Sequence, residues 1–134
     1  MNQAPIDQLI EIRLAQAKES LEEARTLKKV GLQRGAINRS YYAMFYAVLA
    51  LAVLRQEATS KHSGLIAFFD REFIKTGIFP KELSKVLHLG FQRRQENDYG
   101  NLYTSSNDEA EAAINEAENF VDKIEKYIRS IRTI

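Results

Sequence analysis

Apolar residues recur along this chain at spacings of three and four, interrupted by short polar or glycine-bearing breaks. Ile6, Ile10, Leu14, Ala17, Leu21, Ala24 and Lys28 form one stripe, apolar until its last member, and predict a first helix from Pro5 to Val30. Gly31 and Gly35 bracket the connection that follows. A second helix is expected from about Ala36 to Arg55. It is apolar on nearly every side between Tyr41 and Leu54, the signature of a helix at the centre of its fold. The Glu57–Ser60 stretch reads as a turn, with Thr59 or Ser60 as the N-cap of a third helix from Lys61 to Lys75. That helix would turn Leu65, Ile66, Phe69, Phe73 and Ile74 inward and stop at Gly77. The fourth helix opens at Pro80 and runs to about Asn97, with Leu83, Leu87 and Phe91 inward. Asp98 to Ser106 reads as a loop. The fifth helix begins near Asn107 and reaches the C-terminus, its stripe of Ala110, Ile114, Ala117, Val121, Ile124, Ile128 and Ile131 being the most regular in the chain. No segment alternates as a strand does. The expectation is an all-α bundle of about five helices, one domain over residues 1–134.

Composition narrows the function classes. Apolar residues make up 45% of the chain, enough for a core, and a net charge of +1 supplies no bulk attraction to nucleic acid or anionic membrane. Nucleic-acid binding would need a local basic patch. With no Cys, disulfides, thiolate nucleophiles and Cys-ligated zinc are excluded, and two His, His62 and His88, make a His-rich metal site unexpected. The motifs call for no cofactor and no metal: there is no glycine-rich phosphate loop, nucleophile elbow or paired-His signature. No secretory signal is visible at the N-terminus, and the apolar run from Tyr41 to Leu54 is too short to span a bilayer, so a cytoplasmic protein with no membrane contact is expected.

The candidate chemistry lies where polar residues interrupt apolar faces. In the fourth helix the stripe Leu83, Leu87, Phe91 continues to Arg94 and then Asp98. These two are either an ordinary i, i+4 ion pair or a guanidinium held at the core edge for a phosphate or carboxylate. Arg39, one turn before Tyr42 in the central helix, either reaches solvent or shares a polar pocket with Asp98 or Glu96. Tyr41, Tyr42 and Tyr46 bring hydroxyls to the same region, which a core normally satisfies with a partner. Tyr99 and Tyr103 fall in the loop, where aromatic residues mark contact surfaces. Lys61 and His62 open the third helix, whose N-terminus favours anions. His88, between Leu87 and Leu89, reads as structural or solvent-facing.

Taken in order, the blocks Asn38-Arg39-Ser40-Tyr41-Tyr42-Ala43-Met44-Phe45, Lys61-His62-Ser63-Gly64, Arg71-Glu72-Phe73 and Arg94-Gln95-Glu96-Asn97-Asp98-Tyr99 resemble the HEPN superfamily, and most closely its small UPF0332 branch. The resemblance covers nearly the whole chain. It implies an up-and-down antiparallel four-helix core with an additional short helix, usually as a homodimer. Many such proteins are paired with a small nucleotidyltransferase, as toxin and antitoxin. Ribonuclease members carry an Arg followed a few residues later by a His. Here Arg94 matches the Arg, but Asp98 and Tyr99 stand where the His should fall. Three readings follow. In the first, the protein binds a nucleotide or RNA phosphate through Arg39, Tyr42, Lys61, His62, Arg94 and Tyr99, or docks a nucleotidyltransferase partner. The second is a metal-independent ribonuclease toxin with Arg94 and Asp98 as catalytic residues. His62 could replace the motif His only if the third helix approaches the end of the fourth. The third reading is a helical oligomerisation domain without catalysis.

Overall fold

A computed structural model describes residues 3–59, 61–98 and 106–132, with the side chains of Asn97 and Asp98 excepted. Five α-helices follow one another: α1 (Gln3–Lys29), α2 (Gln33–Arg55), α3 (His62–Phe69), α4 (Lys81–Asp98) and α5 (Asn107–Ile131). A π-helical turn, Asp70–Ile74, continues α3. No strand occurs among the described residues. The expected third helix therefore changes its winding half-way. The wider turn lets Phe68, Phe69 and Phe73 all reach the core. Phe68 replaces Ile74, which is only half-buried, among the inward residues.

Local chemistry ends the helices as the sequence implies, with two exceptions. Gly77 takes a φ of 78° after the π-turn, and Ser106 caps α5 in a reciprocal pair with Glu109. At the end of α2 no glycine is present, and Gln56 itself takes the left-handed conformation, φ 54°. At the start of α3 Lys61 occupies the cap position without a side-chain hydrogen bond, and Thr59, one of the two expected N-caps, lies against the Cα of Gly64. Ser60 lies outside the described residues.

Ion pairs report the topology. Asp7–Arg132, Glu11–Arg129, Lys18–Glu125, Arg25–Glu118 and Lys28–Glu111 pair ascending positions of α1 with descending positions of α5, so these helices are antiparallel. Exposed pairs of this kind add little stability each, about 0–1 kcal/mol, but a whole ladder fixes the register. Around the bundle α1, α2, α4 and α5 run up, down, up and down, with α3 and the π-turn crossing between α2 and α4. The parallel diagonal pair α2 and α5 touch, whereas α1 and α4 do not among the described residues. Small residues allow that closeness: Ala36, Ala110 and Ala113 pack with Ile37, Ile114 and Ala24 at one end of the diagonal.

By length and composition α2 could cross a membrane, yet 61% of its most apolar window is buried inside the fold. It is the central helix, as its pattern predicts, and its full length exceeds the Tyr41–Leu54 run on which the sequence reading rested. The stripes of α1, α4 and α5 are buried as predicted, except for Ile131, which is exposed, and Leu21, Lys28 and Phe91, which are half-buried. α4 packs closely on α2 at Gly90, where a Cβ would stand 3.0 Å from both Met44 Cε and Tyr41 Cδ1.

Two measurements test this packing. Gly90→Val should lower the unfolding free energy by about 1–3 kcal/mol in denaturant melts, because the added methyls meet the Tyr41 ring. Burial alone would push the Glu125 carboxyl up, but hydrogen bonds from Lys18 and Arg129 hold it below its ordinary value of 4.5. A carboxyl depressed on folding stabilises above its unfolded pKa and loses that contribution as the pH falls. Glu125→Gln should therefore flatten the acid limb of the stability profile below about pH 4.5; an unchanged limb would count against the seam.

Candidate phosphate-binding site

The central helix delivers two adjacent tyrosines to different surroundings. Tyr41 faces inward beside Gly90 and is 1% exposed; Tyr42, one position on, is half-buried. The turn after α2 brings the chain back so that His62, the first residue of α3, lies over this same face. Its ring stacks on Phe45 at 4.0 Å between centroids and 12° between planes. Its Nδ1 is 2.7 Å from the Tyr41 hydroxyl. Phe91 of α4 stands 6.1 Å away, and Tyr42 meets the imidazole edge-on at 6.0 Å.

Arg94 follows Phe91 by one turn of α4. Its guanidinium carbon lies 5.9 Å from the centroid of the Tyr42 ring, and that of Arg39 lies 5.1 Å from the same centroid. One half-buried ring is thus the common neighbour of two guanidinium groups and one imidazole. Four of the residues singled out in the sequence, Arg39, Tyr42, His62 and Arg94, come together across α2, α3 and α4. The third helix does approach the C-terminal half of the fourth, through the contact of His62 with Phe91. Lys61 is adjacent and exposed. Asp98 is the last residue of α4 and its side chain lies outside the described residues, as do Tyr99 and Tyr103, so the expected Arg94–Asp98 pair is not described.

The carboxylate found near Arg39 is Glu23 of α1, at 3.6 Å, and not Glu96, which accepts a hydrogen bond from Gln92 on its own helix. The pair is exposed, which leaves the guanidinium open to exchange partners with a ligand. Tyr41 was visible in the sequence only as one hydroxyl among three. What would have marked it is its place on a helix apolar all round, where a phenol must find a partner. Burial pushes its phenol far above the ordinary range; the nearby Arg94 charge opposes this and Tyr42 adds to it. Tyr41 is therefore a neutral hydroxyl at any pH the protein would meet.

His88 is solvent-facing, as expected, but it has an acidic partner that the linear spacing hides. Asp70, on the π-turn, is 2.7 Å from His88 Nε2 and accepts a hydrogen bond from Ser84 Oγ at 2.7 Å. In this arrangement the carboxylate sits between Ser and His, so the imidazole does not face the hydroxyl and the trio clamps the π-turn to α4. Among the described residues no group of three or more His, Asp or Glu is gathered as a metal would require. Guanidinium groups beside an imidazole and a half-buried phenol ring are groups that can pair with an anion and stack on a flat ring.

Comparison with known proteins agrees on one family. The HEPN domain family model matches residues 10–127. A UPF0332 protein of Thermotoga maritima is 40% identical over 126 residues, covering 94% of this chain and 96% of that protein. A Methanocaldococcus jannaschii protein named "Putative toxin" is 34% identical, over 90% of this chain and 82% of its own length. A second protein of that organism with the same designation is also 34% identical, over 94% of this chain and 90% of itself.

Two substitutions separate structural from ligand-directed roles. Tyr41→Phe removes a hydroxyl from a half-buried imidazole and should cost about 1–2 kcal/mol in chemical denaturation. Arg39→Ala, at an exposed pair, should change stability by less than about 0.5 kcal/mol, so any loss of binding in that variant reports on the ligand.

Proposed function

Because the chain belongs to the HEPN domain family, we propose that it is a toxin-like protein that binds a nucleotide or RNA phosphate at the patch of Arg39, Tyr42, Lys61, His62 and Arg94. The observation that carries the reading is the convergence of both guanidinium groups on the Tyr42 ring, 5.1 and 5.9 Å from its centroid, with His62 at 6.0 Å. Arg39 and Arg94 would bind the phosphate oxygens, where the planar fork of guanidinium gives paired hydrogen bonds. Tyr42 would take the base or ribose face. Lys61 would add charge at the rim, and Tyr99, outside the described residues, is a further ligand-binding residue in this reading. The proposal extends to a homodimer and to docking of a small nucleotidyltransferase, in keeping with the family resemblance.

Equilibrium binding of fluorescent single-stranded RNA, ATP and GTP tests the reading. RNA or one of the nucleotides should bind and raise the melting temperature by mass action. Arg94→Ala should weaken binding about tenfold or more, and RNA affinity should fall with rising salt. No binding by any of the three at low ionic strength would defeat it. Light scattering should give twice the monomer mass at micromolar concentration.

The names of the two Methanocaldococcus relatives say toxin and no more; joined to the family resemblance, they support a second reading, a metal-independent ribonuclease toxin using Arg94 with Asp98. On that reading expression arrests growth, Arg94→Ala and Asp98→Ala relieve the arrest, and purified protein cleaves RNA in the presence of a chelator. Intact tRNA and mRNA after prolonged incubation would exclude it.

A further inference from the structure

The charged residues of α1 meet their two neighbouring helices in two different ways. Toward α5 the contacts are hydrogen bonds: Lys18 donates to Glu125 at 2.8 Å, and Glu11 accepts from Arg129 at 2.9 Å. Toward α2 the contact is looser. Glu23 Oε1 stands 3.6 Å from Arg39 Nη1, beyond the range of about 2.7–3.2 Å in which an N–H···O hydrogen bond forms. Both side chains are partly open to water, 41% exposed for Arg39 and 47% for Glu23. On its other flank the Arg39 guanidinium lies over the Tyr42 ring, 5.1 Å from the centroid.

Glu23 also has company. Glu19 lies one turn before it and Glu22 beside it, both exposed. These three carboxylates, with Thr26, Leu27 and Arg39, line one open groove where α1 faces α2. Arg39 thus stands between an acidic helix and an aromatic ring.

The length of the contact decides what Glu23 does there. A long pair between exposed groups is held by charge alone and is weak. It fixes the register of α1 and α2 far less than the α1–α5 ladder fixes its own. A phosphate can give the planar guanidinium two short hydrogen bonds at once, which is the stronger arrangement. A phosphate arriving at Arg39 therefore wins the exchange, but not freely. The attraction between Arg39 and Glu23 is subtracted from the ligand's gain. After the exchange the Glu23 carboxylate stays close to the bound anion and repels it, by an amount that salt screens.

We propose that Glu23 is a resident competitor for Arg39, a carboxylate that a ligand phosphate has to displace. This rests on the phosphate-binding reading of the patch, and it adds that the affinity of the patch is set in part from α1, outside the ring-and-guanidinium cluster. It also says which anions the contact rejects. A ligand that offers Arg39 only one weak carboxylate contact gains nothing over Glu23, whereas a phosphate does.

Equilibrium binding of a short fluorescent single-stranded RNA to the full-length protein, read by anisotropy at low ionic strength, tests this. Glu23→Gln keeps the shape of the side chain and removes its charge. It should bind the RNA about threefold more tightly than wild type, with an unchanged melting temperature, and the gain should shrink as salt is added. In an Arg39→Ala background the same replacement should leave the affinity where it is, because the competitor then has nothing to hold. Equal binding by Glu23→Gln and wild type overturns the proposal. A gain that persists in the Arg39→Ala background also overturns it, since Glu23 would then act only as a general negative charge. If Arg39→Ala binds as wild type does while Arg94→Ala binds more weakly, the phosphate-binding reading stands and the role of Glu23 falls. If neither wild type nor Glu23→Gln binds RNA or a nucleotide, both fall together.

Discussion

The arrangement depends on one helix that has no solvent face to offer. From Tyr41 to Ala52, α2 places buried or half-buried residues on every side, so the other helices must surround it. That demand explains why the bundle is closed along one diagonal. α2 touches α5 directly, while α1 and α4 flank the pair without meeting among the described residues. It also explains why small residues matter. Alanines let α2 and α5 approach each other at one end of the diagonal, and Gly90 lets α4 approach α2 at the level of Tyr41 and Met44. The hydrophobic effect favours burial of the whole helix, but only positions without bulk permit the backbones to come close enough.

The site is a consequence of that same closeness. Tyr41 is buried because α4 covers it, and a buried phenol needs a partner. The partner comes from His62, the residue with which α3 begins, stacked on Phe45. Without the Gly90 contact, Tyr41 could turn toward water and His62 would lose its anchor. The polar cluster is therefore set by core packing and not by a loop, which is the kind of support that holds a functional side chain to one geometry. Arg39 and Arg94, by contrast, stand at the rim against Tyr42, where a ligand can compete for them.

The fold was largely legible in the sequence because its signal is periodic. The stripes of α1, α4 and α5 translate directly into buried faces, and the unbroken apolar run of α2 translates into a central position. What the sequence hid were features that periodicity does not encode. The π-turn at Asp70–Ile74 shifts register inside a single apolar pattern, so Phe68 and Ile74 exchange their expected roles. Asp70 reaches Ser84 and His88 only through that turn. For the site, residue types and helix faces sufficed to single out Arg39, Tyr42, His62 and Arg94. Their convergence required knowing that the chain folds α3 back across α2 toward α4. The partner of Arg39 was missed because it lies on α1, a helix whose outward carboxylates look alike in the sequence.

The absence of the motif His after Arg94 takes on a different meaning in this geometry. An imidazole is still present in the patch, but it arrives from another helix and is bound at Nδ1 by a neutral hydroxyl, where a His that must accept a proton needs a lone pair left to it. A base can be built from His with a carboxylate behind it, since the carboxylate takes Nδ1–H and frees Nε2. Tyr41 is a neutral hydroxyl that brings no charge to that position, and it can donate to a bare Nδ1 or accept from Nδ1–H. The difference lies in which atom faces the second ring nitrogen.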